Sequence, residues 1–316
     1  MSHKILVTGA GGFVGPYLIR ELQKNAEHEI FASIYSATSD IAGLLPGDHV
    51  IEGDLTDAKY CQDLVKRSSP DVIYHLAALS DVKESEGAAL HVLTANTEIQ
   101  YNMLEAVKSI APLARFVAVC SANVYGLVGG SEVPINESQP LRPLNPYAVS
   151  KLTQEFLTLQ YHLSYGLNTV ILRPFNHTGV GQTENFVIPA LVRQFVQIKR
   201  GEQAAQIEIG NTASIRDFTD VRDMVRAYIL SSTKCESGQV YNIGSGKGSS
   251  IAQIIELLQD ISGIKVEVLT SKERVRHSDV PVLIADNTKF VTATSWLPEV
   301  KFHETLSSVY NSMVNN

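Results

Sequence analysis

Apolar residues follow two periods along the first 175 positions. Short apolar runs at residues 4–8, 29–35, 50–55, 71–78, 115–120 and 170–173 have the length and composition of buried strands. Between them, Tyr17, Leu18, Ile19 and Leu22, and later Ile99, Met103, Leu104 and Val107, recur at helical spacing. Asn145 and Pro146 mark a further helix start, because Asn caps the free N–H groups and Pro suits the first turn. Beyond residue 175 the alternation loosens. Helices are expected over 186–200, 224–230 and 249–261, and strands over 239–243 and 265–269. Strand–helix alternation followed by irregularity predicts an α/β fold: a doubly wound parallel sheet with a smaller mixed α/β lobe.

The chain has 316 residues, 44% hydrophobic and 19% charged, which is ordinary for a globular enzyme. A formal charge of −7 argues against sequence-independent binding to nucleic acid and leaves room for a small anionic ligand in a local basic pocket. Cys61, Cys120 and Cys235 show neither metal spacing nor an even disulfide count, so no metal site and a reduced, cytoplasmic chain are expected. The first residues run straight into an apolar strand and glycines, without the pattern of a cleaved leader. No apolar stretch approaches the length of a membrane span.

The first strand leads into Gly9-Ala10-Gly11-Gly12-Phe13-Val14-Gly15 and then a helix, the order a dinucleotide site requires. Gly9 permits the tight turn, Gly12 lets backbone approach a pyrophosphate, and Gly15 lets helix pack on strand. The helix N-terminus then faces the anion. The second strand ends Ile34-Tyr35-Ser36, with no adjacent carboxylate to repel a 2′-phosphate and no Arg to hold one. NADPH is therefore favoured, with NADH tolerated, unless Asp40 reaches back to the ribose. Asp54, at the end of the third strand, is expected to accept from the adenine amino group, with Leu55 beside it. Leu76, Ala77 and Ala78 end the fourth strand with side chains small enough for a cofactor to lie against backbone. His75 reads as a packed strand residue, since nothing nearby is built to orient it as a base.

Tyr147 and Lys151 are i and i+4 at the start of the helix capped by Asn145. A nearby ammonium stabilises a phenolate, so Lys151 is expected to lower the pKa of Tyr147 and let it exchange a proton during hydride transfer. A lone Tyr-x-x-x-Lys is otherwise an unremarkable surface pair. Ser121, delivered at the carboxyl end of the fifth strand, is placed to meet Tyr147 over one substrate oxygen.

Taken together, Thr8-Gly9-x-x-Gly12-x-x-Gly15, Asp54, His75-Leu76-Ala77-Ala78, Ser121, Tyr147-x-x-x-Lys151 and Arg173-Pro174-Phe175-Asn176 resemble the extended short-chain dehydrogenase/reductase family. The resemblance spans essentially the whole chain. Asn176-His177-Thr178-Gly179, Glu184-Asn185-Phe186-Val187 and Arg216-Asp217-Phe218 look most like its branch of GDP-mannose dehydratases and GDP-4-keto-6-deoxymannose reductases. That likeness implies a Rossmann sheet carrying NAD(P), Ser121, Tyr147 and Lys151 in catalysis, and a GDP-sugar substrate. It further implies that Asn176 and Asn185 bind the nucleotide diphosphate while Arg216 and Arg276 neutralise its phosphates; as bare residues, both arginines read as solvated charges. It implies a homodimer, and a dinucleotide-binding domain over 1–175 to which residues 217–244 return, leaving 176–216 and 245–316 as a substrate-binding lobe.

One position departs from the dehydratases of that branch, which carry a carboxylate two residues after the catalytic Ser or Thr. Here it is Asn123, and an amide is no practical base at neutral pH. Elimination is thereby disfavoured and ketone reduction remains, unless Glu132 or Glu137 serves instead. The expected activity is reduction of the 4-keto group of GDP-4-keto-6-deoxy-D-mannose to GDP-D-rhamnose. The alternatives are a sugar-nucleotide 4-epimerase retaining NAD and, behind it, a GDP-mannose 4,6-dehydratase. A non-catalytic nucleotide sensor is argued against by the presence of both Tyr147 and Lys151.

Overall fold

The computed structural model describes residues 3–36, 41, 43–80, 88–271 and 280–315. The first half alternates as its periodicity predicts: β1 (Lys4–Thr8), α1 (Gly15–Leu22), β2 (Glu29–Ile34), β3 (Val50–Glu52), α2 (Ala58–Ser68), β4 (Val72–His75), α3 (Ala89–Ile110), β5 (Arg115–Val119), α4 (Pro146–Tyr165) and β6 (Thr169–Pro174). There follow β7 (Asn176–Thr178), α5 (Val187–Lys199), β8 (Gln206–Ile209), β9 (Ile215–Asp220), α6 (Val221–Lys234), β10 (Val240–Ile243), β11 (Gly248–Ser250), α7 (Ile251–Ser262), β12 (Glu267–Thr270), β13 (Val282–Leu283), α8 (Thr288–Thr294) and α9 (Phe302–Asn315).

Seven strands form one parallel sheet in the order β10-β6-β5-β4-β1-β2-β3. Successive side chains on a strand point to opposite faces. Ile5 and Val7 accordingly enter one core cluster with α1 and α6, while Leu6 enters another with α2 and α3. Tyr74 and Ile73, or Leu172 and Ile171, divide the same way. Both faces are covered, as an all-parallel sheet requires. The chain runs outward in opposite directions from β1 and β4, so a crevice opens beyond their carboxyl ends, where sheets of this kind place ligands.

Strand β7 pairs with β9 in a second sheet that also holds β11 and β13. Asp220 ends β9, accepts from the Arg222 backbone N–H at 2.8 Å and so caps α6, which packs into the core of the first sheet. Asp217, fully buried on β9, accepts from the Ser245, Gly246 and Ala285 backbone N–H groups at 2.9, 2.9 and 3.2 Å, tying the second sheet to the loop after β10. Helices α5, α7 and α9 share a third core with β8. Phe290 and Trp296, in the expected lobe, instead pack with the α1 and α6 side of the first sheet. The three cysteines are buried and unpaired. Among the described residues no helix is long and apolar enough to cross a membrane.

Candidate active site

A cavity of about 500 Å³ lies beyond the carboxyl ends of β1, β4, β5 and β6. One end is the glycine turn. Gly9 has φ +68°, and a Cβ there would sit 2.7 Å from the backbone of Ala77; one on Gly15 would sit 2.0 Å from the carbonyl oxygen of Ala10. Turn, first helix and fourth strand therefore touch backbone to backbone, which only glycine allows. No side chain caps α1; its first N–H, of Gly15, donates to the Gly12 carbonyl at 3.2 Å and Pro16 has none, so an anion here would meet the glycine turn and the helix dipole rather than a row of free helical N–H groups. Gly12, Phe13, Val14, Leu76, Ala77 and Ala78 line this part of the cavity.

The other end is built by β5 and α4. Asn145 caps α4, its side chain accepting from the Ala148 N–H at 2.8 Å, and Pro146 occupies the first turn. This cap turns Tyr147 and Lys151 inward, 8% and 4% exposed, onto the same cavity as Ser121, Asn123 and Asn176. Burial pushes the Tyr147 phenol up to about 12, against a lowering hydrogen bond with the Ser121 side chain. The expected lowering by Lys151 is not found; burial sets the direction, and at neutral pH Tyr147 holds its proton. Burial also pulls Lys151 down to about 8, while its Nζ donates to the Val119 carbonyl at 3.0 Å.

The depressed lysine has a measurable consequence for stability. The unfolded chain keeps an ordinary lysine near 10.5, so between pH 8 and 10.5 it binds more protons than the folded chain. The cost of the buried ammonium is present in full below pH 8 and is relieved as pH rises. Wild-type stability is therefore expected to gain, by up to about 3 kcal/mol, on that of Lys151→Met between pH 8 and 10.5. Denaturant unfolding of both proteins at the two pH values reads this directly; parallel curves would refute it.

His75 behaves as a core residue: it is 2% exposed, its Nδ1 lies 2.7 Å from the Thr8 hydroxyl, and burial, assisted by Lys151, holds it down near 3. Glu132 and Glu137 stay outside the cavity lining. Glu132 accepts from the Gly129 N–H and from Gln139 and Arg142, bonds that hold it down near 2, and Glu137 accepts from the Asn242 N–H at 2.8 Å. Among the described residues no Asp or Glu lines the cavity, so neither alternative base is in place.

Other candidates stand apart. Asp54 is exposed past the end of β3 and closes on its own loop, accepting from the Thr56 N–H at 2.9 Å, while Leu55 is in the core. Asn185 is exposed before α5, and Arg216, on β9, donates to the Ile215 carbonyl at 2.9 Å; neither lines the cavity. Arg276 and Asp40 lie outside the described residues. The cavity also takes in residues outside the expected set. His177 stacks on Phe13, ring centroids 6.2 Å apart and planes 8° apart, joining the glycine turn to β7. Tyr228 enters from α6; its only sequence signal is a place in a helical repeat, which also marks core residues.

A sequence profile described as GDP-mannose 4,6 dehydratase matches residues 6–309. A GDP-6-deoxy-D-mannose reductase of Pseudomonas aeruginosa is 34% identical over 309 residues, 98% of this chain and 96% of that protein. The structure of RMD from Pseudomonas aeruginosa complexed with NADPH aligns at 32% identity with a TM-score of 0.87, covering 100% of this chain and 98% of that one. A UDP-glucose 4-epimerase of Thermotoga maritima, solved with UDP-glucose, aligns at 25% identity with a TM-score of 0.88, covering 100% and 99%.

Proposed function

This chain belongs to the family described as GDP-mannose 4,6 dehydratase, within the extended short-chain dehydrogenases/reductases, and from that premise we propose that it is an NADPH-dependent reductase of GDP-4-keto-6-deoxy-D-mannose forming GDP-D-rhamnose. The observation that carries this reading is a cavity that brings Ser121, Tyr147 and Lys151 together while no carboxylate among the described residues lines it. Such a site can protonate an alkoxide and, among the described residues, has no base for removing a carbon-bound proton.

The residues present fit a dinucleotide. The glycine turn and Ala77 leave no room for a Cβ, and the cavity runs from that turn to Tyr147. Tyr35 and Ser36 line its rim with no carboxylate beside them among the described residues, which suits NADPH and allows NADH. When bound, the dinucleotide supplies the hydride. Tyr147 gives its proton to the ketone oxygen as the carbon is reduced. Ser121 donates to the same oxygen while its charge develops, when a fixed donor counts most. Lys151 holds the nicotinamide ribose and, through it, the alignment of Tyr147. Asn123 and Asn176 contact the sugar nucleotide; the buried Oδ1 of Asn176 has no partner among the described residues. The family likeness assigns Asn185, Arg216 and Arg276 to its diphosphate and Asp54 with Leu55 to the adenine; of these, Asn185, Arg216 and Asp54 lie outside the cavity lining and Leu55 is in the core.

We assign residues 1–175 and 217–244 to the dinucleotide domain and 176–216 with 245–316 to the substrate lobe, the stretch around Phe290 and Trp296 packing back on the former. We assign a cytoplasmic homodimer, its contact on α3 and α4. Val149, Phe156 and Leu163 recur every seventh residue on α4 and are 39%, 55% and 73% exposed, an apolar stripe suited to a second copy.

Purified protein mixed with GDP-4-keto-6-deoxy-D-mannose and NADPH is expected to oxidise one cofactor per 6-deoxyhexose formed, read by nicotinamide absorbance, with the C4 configuration read by NMR. A second reading, the 4-epimerase, is supported by the Thermotoga maritima likeness and needs the same Ser, Tyr and Lys. Bound NAD that does not exchange, together with interconversion of UDP-sugars and no net oxidation, would replace the reductase with it.

A further inference from the structure

Tyr228 is fully buried, lines the cavity, and its hydroxyl has no hydrogen-bond partner among the described residues. Buried polar groups in folded proteins are nearly always paired, because an unmade bond leaves the whole desolvation penalty standing. A hydroxyl of this kind on a cavity wall is held ready for something that enters the cavity.

The packing identifies the side from which it acts. The tyrosine belongs to the cluster of Val7, Ala10, Leu18 and Ile19 that supports the glycine turn, with Phe13 and Val14 packed against it. Ala122 and Phe175 belong to a separate cluster on the side of Ser121. Tyr147 is near enough to push the ionisation of Tyr228 up, after burial, the larger cause. The phenol therefore reaches the reacting end of the cavity from the cofactor's side.

At that end a nicotinamide dinucleotide carries two kinds of polar group, ribose hydroxyls and the ring carboxamide. Lys151 serves the ribose in the mechanism above, and Tyr147 the substrate oxygen. The carboxamide both donates and accepts, and a phenol hydroxyl can meet either half. We infer that the Tyr228 hydroxyl hydrogen-bonds the nicotinamide carboxamide and holds the ring in one orientation, making it a cofactor-positioning residue. The inference rests on the nicotinamide chemistry proposed above and adds to it a group that recognises the ring rather than the adenosine or the phosphates.

The test compares wild type and Tyr228→Phe by calorimetric titration with NADPH and with 2′-phospho-ADP-ribose, which lacks the nicotinamide. The variant is expected to bind NADPH roughly 3- to 10-fold more weakly, as loss of one neutral hydrogen bond dictates, and 2′-phospho-ADP-ribose equally well. The Tm of the ligand-free variant should equal or exceed that of wild type, since the deleted hydroxyl has no partner in the fold. Equal weakening for both ligands would overturn the inference by making the tyrosine a support of the turn. Unchanged NADPH affinity, or a lower Tm without ligand, would overturn it as well. Wild-type protein that binds neither NADPH nor NADH would instead sink the parent reading, and this one with it.

Discussion

Tyr147→Phe is expected to lower kcat by about 10²- to 10⁴-fold while leaving the dissociation constant of the nucleotide sugar nearly unchanged. The ring is buried at the start of α4, and phenylalanine fills the same space, so the change removes one hydroxyl and little packing. In the proposed mechanism that hydroxyl is the proton source. Burial holds its pKa near 12, and the acid form therefore persists across the neutral range, as proton donation to an alkoxide demands. The Ser121 hydrogen bond acts the other way, easing departure of the proton while aligning both hydroxyls on one substrate oxygen. Ser121 and the cofactor remain in the variant, so a residue of activity should survive. Steady-state kinetics alongside equilibrium binding separates the possibilities. A large rise in the dissociation constant with normal turnover would make Tyr147 a binding residue and return the proton-donor role to another group.

Glu155→Ala should destabilise the fold by about 3–5 kcal/mol, because it strands a buried guanidinium. Glu155 lies on α4, beyond Lys151, and Arg173 is on β6; their side chains are each 5% exposed. Arg173 Nε donates to Glu155 Oε2 at 2.9 Å and Nη2 to Oε1 at 2.5 Å, while Nη1 donates to the Tyr125 hydroxyl at 2.8 Å. Tyr125 in turn donates to Asn242 Oδ1 at 2.7 Å on β10. One network therefore locks α4, the helix of Tyr147 and Lys151, to two strands of the sheet and to the turn that follows Ser121. Denaturant unfolding of Glu155→Ala, Arg173→Met and the pair Glu155→Leu with Arg173→Met provides the check. The pair should recover much of the loss, since neither charge is then left buried alone. If the two single losses simply add, the ion pair is not coupled and the destabilisation has another origin.

Helix α4 shows how much a local signal can carry. Asn145, Pro146 and the i, i+4 spacing of Tyr147 and Lys151 are satisfied within two turns of one helix, and the structure contains that cap and that shared face. The glycine turn is equally local, since its backbone torsions and its lack of Cβ atoms depend on the identities of a few adjacent residues. What these groups experience is not local. Lys151 was expected to lower the pKa of Tyr147, but burial among the surrounding sheet and helices raises it, opposed by the Ser121 hydrogen bond and not by Lys151, and the same burial lowers Lys151.

The chain by itself determined the strand and helix periods of the first half, the doubly wound parallel class, and the residue types of the dinucleotide turn and the Ser–Tyr–Lys set, because each is written in spacing and in bonds between near neighbours. Only the tertiary structure decided which groups share the cavity. It left Asp54 closed on Thr56, engaged Glu132 and Glu137 elsewhere, paired β7 with the distant β9, and used α6 to carry Tyr228 to the wall. The strand pairings and α6 packing join segments far apart in the sequence. The pattern of one segment reports that a face is apolar or a side chain polar, but which remote surface meets it is settled when the whole core packs.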